Sequence, residues 1–183
     1  MCRRNKADAI RLGIEAQALQ EKARSNEDLK EAVRKYEEAL KIFQRVGDAK
    51  YSSLVYCGLG IVYETWGQYQ KAVEYYRKAL KSERKLGDME GEGTTLHNVG
   101  SAYAQWGQYR KAVEYYEKSL EILRKIGDVN TEGQTVNRLG TIRAILGEPE
   151  KAQAHFETGL AIAQKIGVPD DSPKNHLAGL FMD

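Results

Sequence analysis

Cysteine and proline are scarce in this sequence, and each scarcity closes off a class of reading. Cys2 and Cys57 are the only cysteines and lie far apart, so there is no disulfide framework and no Cys-x-x-Cys metal pattern. Such usage fits a reducing compartment, and the cytoplasm is the expected location. The three prolines stand at 149, 169 and 173, which leaves residues 5–148 free of that helix breaker. No apolar run reaches the length of a membrane span, and Met1-Cys2-Arg3-Arg4-Asn5-Lys6 is not followed by the apolar core of a secretory signal. Charge of one sign is also lacking. With 28 Lys+Arg against 26 Asp+Glu the net charge is only +2, and basic residues alternate with Glu along the chain. That pattern excludes a nucleic-acid footprint of the usual kind. Basic pairs such as Arg84-Lys85 and Arg124-Lys125 sit just before a glycine, where cations complement a helix C-terminus. No nucleophile–base pair, phosphate-cradling glycine loop or zinc signature is present, so neither an enzyme nor a bound metal or cofactor is expected.

What the sequence has is a period of 40 residues. Trp66-Gly67-Gln68-Tyr69 recurs as Trp106-Gly107-Gln108-Tyr109, and Gly47-Asp48, Gly87-Asp88 and Gly127-Asp128 keep the same spacing. Residues 48–87 and 88–127 are identical at 18 of 40 positions, so the repeat is a structural unit rather than a local coincidence. A period of about 20–50 residues marks an array in which each unit packs mainly on its neighbours. Such a chain offers an extended surface, which points to binding.

Each unit reads as two helices. Leu96, Val99, Gly100, Tyr103 and Trp106 follow helical spacing across 89–106, and Gly107 stops that helix. The second helix is expected from Tyr109 to Ile126, with Ala112, Val113, Tyr116, Leu120, Leu123 and Ile126 inward. Gly127 ends it, and Asp128 is placed to cap the next helix. The same reading gives pairs at 6–47, 48–87, 88–127 and 128–167, an array spanning 1–167, with Pro149 at a helix start. In the degenerate first unit, a helix over about 6–24 is expected to turn Ala16, Leu19 and Ala23 inward. Residues 168–183 form a tail in which Leu177, Leu180 and Phe181 suggest a short capping helix after Pro173. Gly60, Gly100 and Gly140 recur inside first helices, where glycine costs roughly 1 kcal/mol against alanine. They are expected at close helix contacts, facing Ala72, Ala112 and Ala152.

These residues resemble the tetratricopeptide repeat. Gly100, Gly107, Ala112, Tyr116 and Ser119 stand at the family's positions, as do Gly60, Gly67, Ala72, Tyr76 and Ala79 one unit earlier. The Gly-Asp start with Glu92-Gly93 or Glu132-Gly133 is similar to the long 40-residue repeats of Pins- and LGN-type adaptors and of bacterial proteins. The resemblance implies an all-α, right-handed α-solenoid of four antiparallel helix pairs whose first helices line a concave groove. It also implies a non-catalytic scaffold that takes a protein or peptide segment in that groove. The groove positions are Leu54, Cys57, Ile61, Glu64 and Thr65 in the second unit. In the third they are Thr94, His97, Asn98, Ser101 and Gln105, and in the fourth Gln134, Asn137, Arg138 and Thr141. Chaperone-binding members hold a carboxylate clamp of Lys, Asn and Arg. Here Cys57 and Ile61 take two of the polar positions and His97 takes a lysine position, so that specificity is not expected. The alternative function is a ligand-sensing regulatory domain of a larger signalling or transcription protein. Self-association through the array ends is a further expectation.

His97 reads as a groove residue and His155 as a surface one. Cys57 reads as a small, half-buried side chain. Trp66 and Trp106, recurring just before a turn glycine, read as packing between helices.

Overall fold

The structure is a computed structural model that describes residues 5–167. The expected capping helix at 174–182 lies outside the described residues. Eight helices follow one another: α1 Lys6–Glu21, α2 Asn26–Arg45, α3 Ala49–Thr65, α4 Tyr69–Leu86, α5 Met89–Gln105, α6 Tyr109–Ile126, α7 Val129–Ile145 and α8 Pro149–Lys165. They pack as antiparallel pairs, α1 with α2 through α7 with α8, and each pair stacks on the next. The result is an all-α, right-handed solenoid of four pairs. The first helices α1, α3, α5 and α7 also touch in succession, so they share one face of the stack.

Local chemistry sets the joints. Asp48, Asp88 and Asp128 each accept a hydrogen bond from the backbone N–H three residues on, at 3.1, 3.0 and 3.1 Å. These caps satisfy a donor that the first helical turn leaves open. Gly87 and Gly127 end α4 and α6 at φ +67° and +75°, the left-handed region that favours glycine. Two expected basic pairs do more than complement a helix end. Arg84 reaches Glu92 at 2.6 Å and Arg124 reaches Glu132 at 2.8 Å, so each ties one unit to the next.

The core is a row of inward stripes. Ala112, Val113, Tyr116, Leu120 and Leu123 are buried as the spacing predicts, whereas Ile126 lies at the rim. Trp66 and Trp106 stack on Tyr63 and Tyr103, each with ring centroids 6.1 Å apart. Trp106 still leaves 40% of its surface exposed, so its packing is one-sided.

Two expectations are corrected. The glycines at 60, 100 and 140 lie at close helix contacts, but the groups nearest them are aromatic rings rather than the alanines twelve residues on. Their open side is filled by the rings of Tyr76, Tyr116 and Phe156, and a Cβ on Gly100 would stand 2.7 Å from the Tyr116 ring. Ala72, Ala112 and Ala152 are themselves fully buried. In the first unit, α1 ends at Glu21 rather than at about 24; it buries Ala9, Leu12 and Ala16, and Leu19 and Ala23 turn inward, half-buried against the core. The cause is Ser25, whose capping box with Asp28 starts α2 and pulls residues 22–25 out of the helix.

Candidate functional site

The shared face of the first helices divides into two chemically different halves. The N-terminal half is an apolar cleft of about 420 Å³ between α1 and α3. Ile10, Ile14, Leu54 and Ile61 line it, with Cys57 and the Tyr36 ring behind them. Ile14 and Leu54 keep 63% and 57% of their surface exposed, more than any other large apolar residues described. The sequence placed Leu54, Cys57 and Ile61 on this face but missed the α1 side. Ile14 was the available signal, a large aliphatic residue off the buried stripe of an otherwise polar, alanine-rich helix.

The C-terminal half mixes polar groups with apolar ones such as Ile142 and Ile145, and joins three helices. Glu64, at the end of α3, accepts a hydrogen bond from the Tyr76 hydroxyl at 2.7 Å and from the Ser101 hydroxyl on α5 at 2.7 Å. The Gln105 side-chain amide donates to the same carboxylate. Burial pushes the Glu64 carboxyl up from its ordinary range, while the two hydroxyl donors and the nearby Arg138 guanidinium pull the other way. Glu64 is therefore held in place by its neighbours, a partnership that sequence reading left unassigned. Sisters of Glu64 at the 40-residue period are Ala104 and Ala144, so this bridge exists at one junction only.

Between α5 and α7 lies a cleft of about 500 Å³, with Ser101, Gln105, Tyr116, Arg138 and Thr141 among its lining residues. Arg138 is exposed, and among the described residues no salt bridge engages it. His97 is half-buried. Its Nδ1 lies 2.8 Å from the Thr135 hydroxyl, whose own proton goes to the Thr131 carbonyl at 2.7 Å. The hydroxyl is thus committed as a donor, so Nδ1 carries the imidazole proton and Nε2 is left as an acceptor. Burial, reinforced by Arg138, pulls the His97 pKa down to about 4. The ring is neutral at ordinary pH and is no switch there.

The remaining sequence candidates scatter. Thr65, Thr94 and Gln134 are exposed, and Asn98 is half-buried. Asn137 points its Oδ1 at Gly159 of α8, where it is buried and has no hydrogen-bond partner among the described residues. Thr141 donates back to the Asn137 carbonyl at 3.1 Å. His155, read as a surface residue, is half-buried.

Beneath the junction of the halves lies a group that sequence reading missed. Glu83 of α4 is buried and accepts from Ser53 at 3.0 Å, Thr95 at 2.9 Å and the Cys57 thiol at 3.5 Å, all at Oε1. Its Oε2 is buried and without a partner among the described residues. Burial raises the Glu83 carboxyl, and burial beside that carboxylate pushes the Cys57 thiol up to about 12. Cys57 is consequently a protonated structural thiol. The signal was available: positions 43, 83 and 123 read Phe, Glu and Leu.

Comparison with known proteins fits this architecture. A sequence profile described as tetratricopeptide repeat matches residues 23–85 and 82–125. No curated protein matches the sequence. Among solved structures, aspartyl phosphate phosphatase F from Bacillus subtilis superposes with a TM-score of 0.85 at 15% identity, covering 98% of this chain and 50% of that one. A Rap protein complexed with competence and sporulation factor gives 0.77 at 19% identity, over 87% of this chain and 43% of that one. A Signal Transduction ATPase with Numerous Domains protein with a tetratricopeptide repeat sensor, from Pyrococcus horikoshii, gives 0.78 at 24% identity, over 89% and 25%. At these identities the likeness is one of fold. The chain spans about half the length of the first of them. Among the described residues no helix is long and apolar enough to cross a membrane.

Proposed function

The chain belongs to the tetratricopeptide repeat family, and on that premise we propose that it is a non-catalytic scaffold capturing an extended protein segment along its first helices. The observation that carries this reading is the division of one continuous face into an apolar cleft and a mixed cleft that contains an exposed arginine. The ligand this face suits has an aliphatic or aromatic anchor for the space between Ile14, Leu54 and Ile61. It also has a carboxylate for Arg138, the pairing that a guanidinium fork favours. The two clefts lie two first-helix spacings apart. At about 8–10 Å per spacing the anchors stand roughly 16–20 Å from each other. An extended chain covers that with about five or six residues. His97 Nε2, Asn98 and Gln105 supply polar contacts between the anchors.

The test is selection of peptides on the purified chain followed by titration against variants. Arg138→Ala and Asn98→Ala should weaken a selected peptide about tenfold or more, in line with loss of a charge-assisted contact. Helical circular dichroism should stay intact. A ligand whose affinity ignores both changes removes the groove assignment.

A second reading is a sensor domain controlling an attached output domain. It draws support from the neighbours whose chains extend well beyond the matched array, one of them described as carrying a tetratricopeptide repeat sensor. In that case the selected peptide should alter the activity of whatever domain the full-length protein carries.

A further inference from the structure

The outer face, built from the second helices, carries a charge concentration that the balanced composition hides. A cleft of about 420 Å³ between α4 and α6 is lined by Arg77, Lys81, Arg84, Lys85 and Lys118, with Tyr115 alongside. No carboxylate belongs to that lining. The 40-residue period supplies an internal control. At the next junction the corresponding residues are Glu117, Glu121, Arg124, Lys125 and Thr158, two acids against two cations. At the preceding junction they are Glu37, Lys41, Gln44, Arg45 and Lys78. Only the junction of the second and third units replaces both acidic positions, with Arg77 and Lys81.

The cations differ in how they are held. Arg84 is tied to Glu92 at 2.6 Å. Arg77 donates to the Tyr103 hydroxyl at 3.2 Å, and the Lys118 ammonium lies 5.2 Å from the centre of the Tyr115 ring. Among the described residues, Lys81 and Lys85 have no salt bridge. The arrangement is a pair of loose ammonium groups flanked by cations that their neighbours already orient. Like charges this close repel, and an anionic partner relieves the repulsion as it binds.

We propose that this cleft docks an acidic protein segment, rich in Asp and Glu, independently of the ligand in the concave groove. Charge complementarity selects the partner. A nucleic acid is the less suitable occupant, because the positive stripe is confined to one junction and the neighbouring junctions restore Glu along the same line.

The probe is a fluorescein-labelled octapeptide of alternating Asp and Glu, followed by anisotropy on the full chain. The expected result is saturable binding that weakens as salt rises. The double variant Lys81→Glu/Lys85→Glu should lose at least about tenfold in affinity. Lys125→Glu, which alters the corresponding lysine one unit on, should leave the affinity unchanged, as should Arg138→Ala. Absence of binding, or indifference to the double reversal, overturns the proposal. Tighter binding of an oligodeoxythymidine of equal charge would make the cleft a polyphosphate site and overturn it as well. A loss caused by Arg138→Ala would place the peptide in the concave groove instead.

Discussion

Replacing Glu83 with leucine should make the protein more stable. The sister position in the third unit already holds Leu123, fully buried, so the backbone geometry of the repeat accepts the side chain. Two of the three donors around Glu83 keep an acceptor after its removal. Ser53 also donates to the Ala79 carbonyl at 3.2 Å, and Cys57 and Thr95 lie 3.1 Å from each other. Three contributions decide the size. Relief of the unpartnered Oε2 is worth about 1–3 kcal/mol, whereas each hydrogen bond lost from a charged acceptor is worth about 1.5–3 kcal/mol, a cost that re-pairing of the donors reduces. Burial of the aliphatic side chain adds about 1.5–3 kcal/mol. Replacing a buried, half-satisfied charge by an apolar side chain of like size is neutral to stabilising by about 1–4 kcal/mol, so the expectation is a gain of about 1–2 kcal/mol at pH 7, which by the usual scaling raises Tm by roughly 2–8 °C. The sign with pH follows from linkage. The folded pKa of Glu83 is raised, so its proton is held more tightly in the folded state. The penalty from ionising it is absent below the ordinary glutamate range and grows as pH rises through the folded value. Carboxylates with lowered values, such as Asp48 and Asp128, lose their contribution as pH falls, but equally in both proteins. Denaturant unfolding of the two proteins at pH 7 and pH 4 is the assay. The stability gap should be largest at pH 7 and shrink at pH 4. A variant less stable at pH 7, or a gap that ignores pH, would refute the reasoning.

Gly100→Leu should destabilise by about 1–3 kcal/mol through overpacking, because its first carbon already meets the Tyr116 ring at 2.7 Å. Combined with Tyr116→Ala the loss should be less than the sum of the two single changes, because both act on one contact, and thermal melts of the single and double variants check it. His97, with a folded pKa near 4, should show an unshifted imidazole resonance by NMR from pH 8 down to about 5.5, well above that value. Since its folded pKa is depressed, its contribution to stability is full above the unfolded value and is lost as pH falls toward 4, a slope that His97→Asn should remove.

The fold was legible because its causes recur. A glycine at a left-handed turn, an aspartate cap and an alanine–aromatic stripe must appear in each unit for the units to stack, so the period exposes them several times over. The α4, α5 and α6 boundaries follow to within a residue from Gly87, Asp88 and Gly107. The first unit was read less well, since α2 starts on a side-chain capping box at Ser25 whereas α4, α6 and α8 start without a side-chain cap. The ring nearest Gly100 was missed for another reason. Spacing ranks residues along a helix but does not say which atom of a facing helix fills a gap, and a Tyr ring reaches farther than an alanine methyl.

Function-bearing chemistry follows the opposite rule. A residue demanded by stacking repeats, so a residue that breaks the repeat has escaped that demand and needs another cause. Glu64 stands where its sisters are Ala104 and Ala144, and it ties α3 to α5. Glu83 stands where its sisters are Phe43 and Leu123, and it carries an unpartnered buried oxygen. Arg77 and Lys81 stand where the next unit has Glu117 and Glu121, and the lining of the outer cleft there carries five cations and no carboxylate. All three departures fall in the second unit, although the second and third units otherwise share much of their sequence. Stability alone does not require this asymmetry, because the third unit forms the same helix pair without any of them. The second unit is thus where the array trades uniform packing for particular contacts. If binding is centred there, charge reversal at Lys81 and Lys85 should matter more than the same change at Lys125.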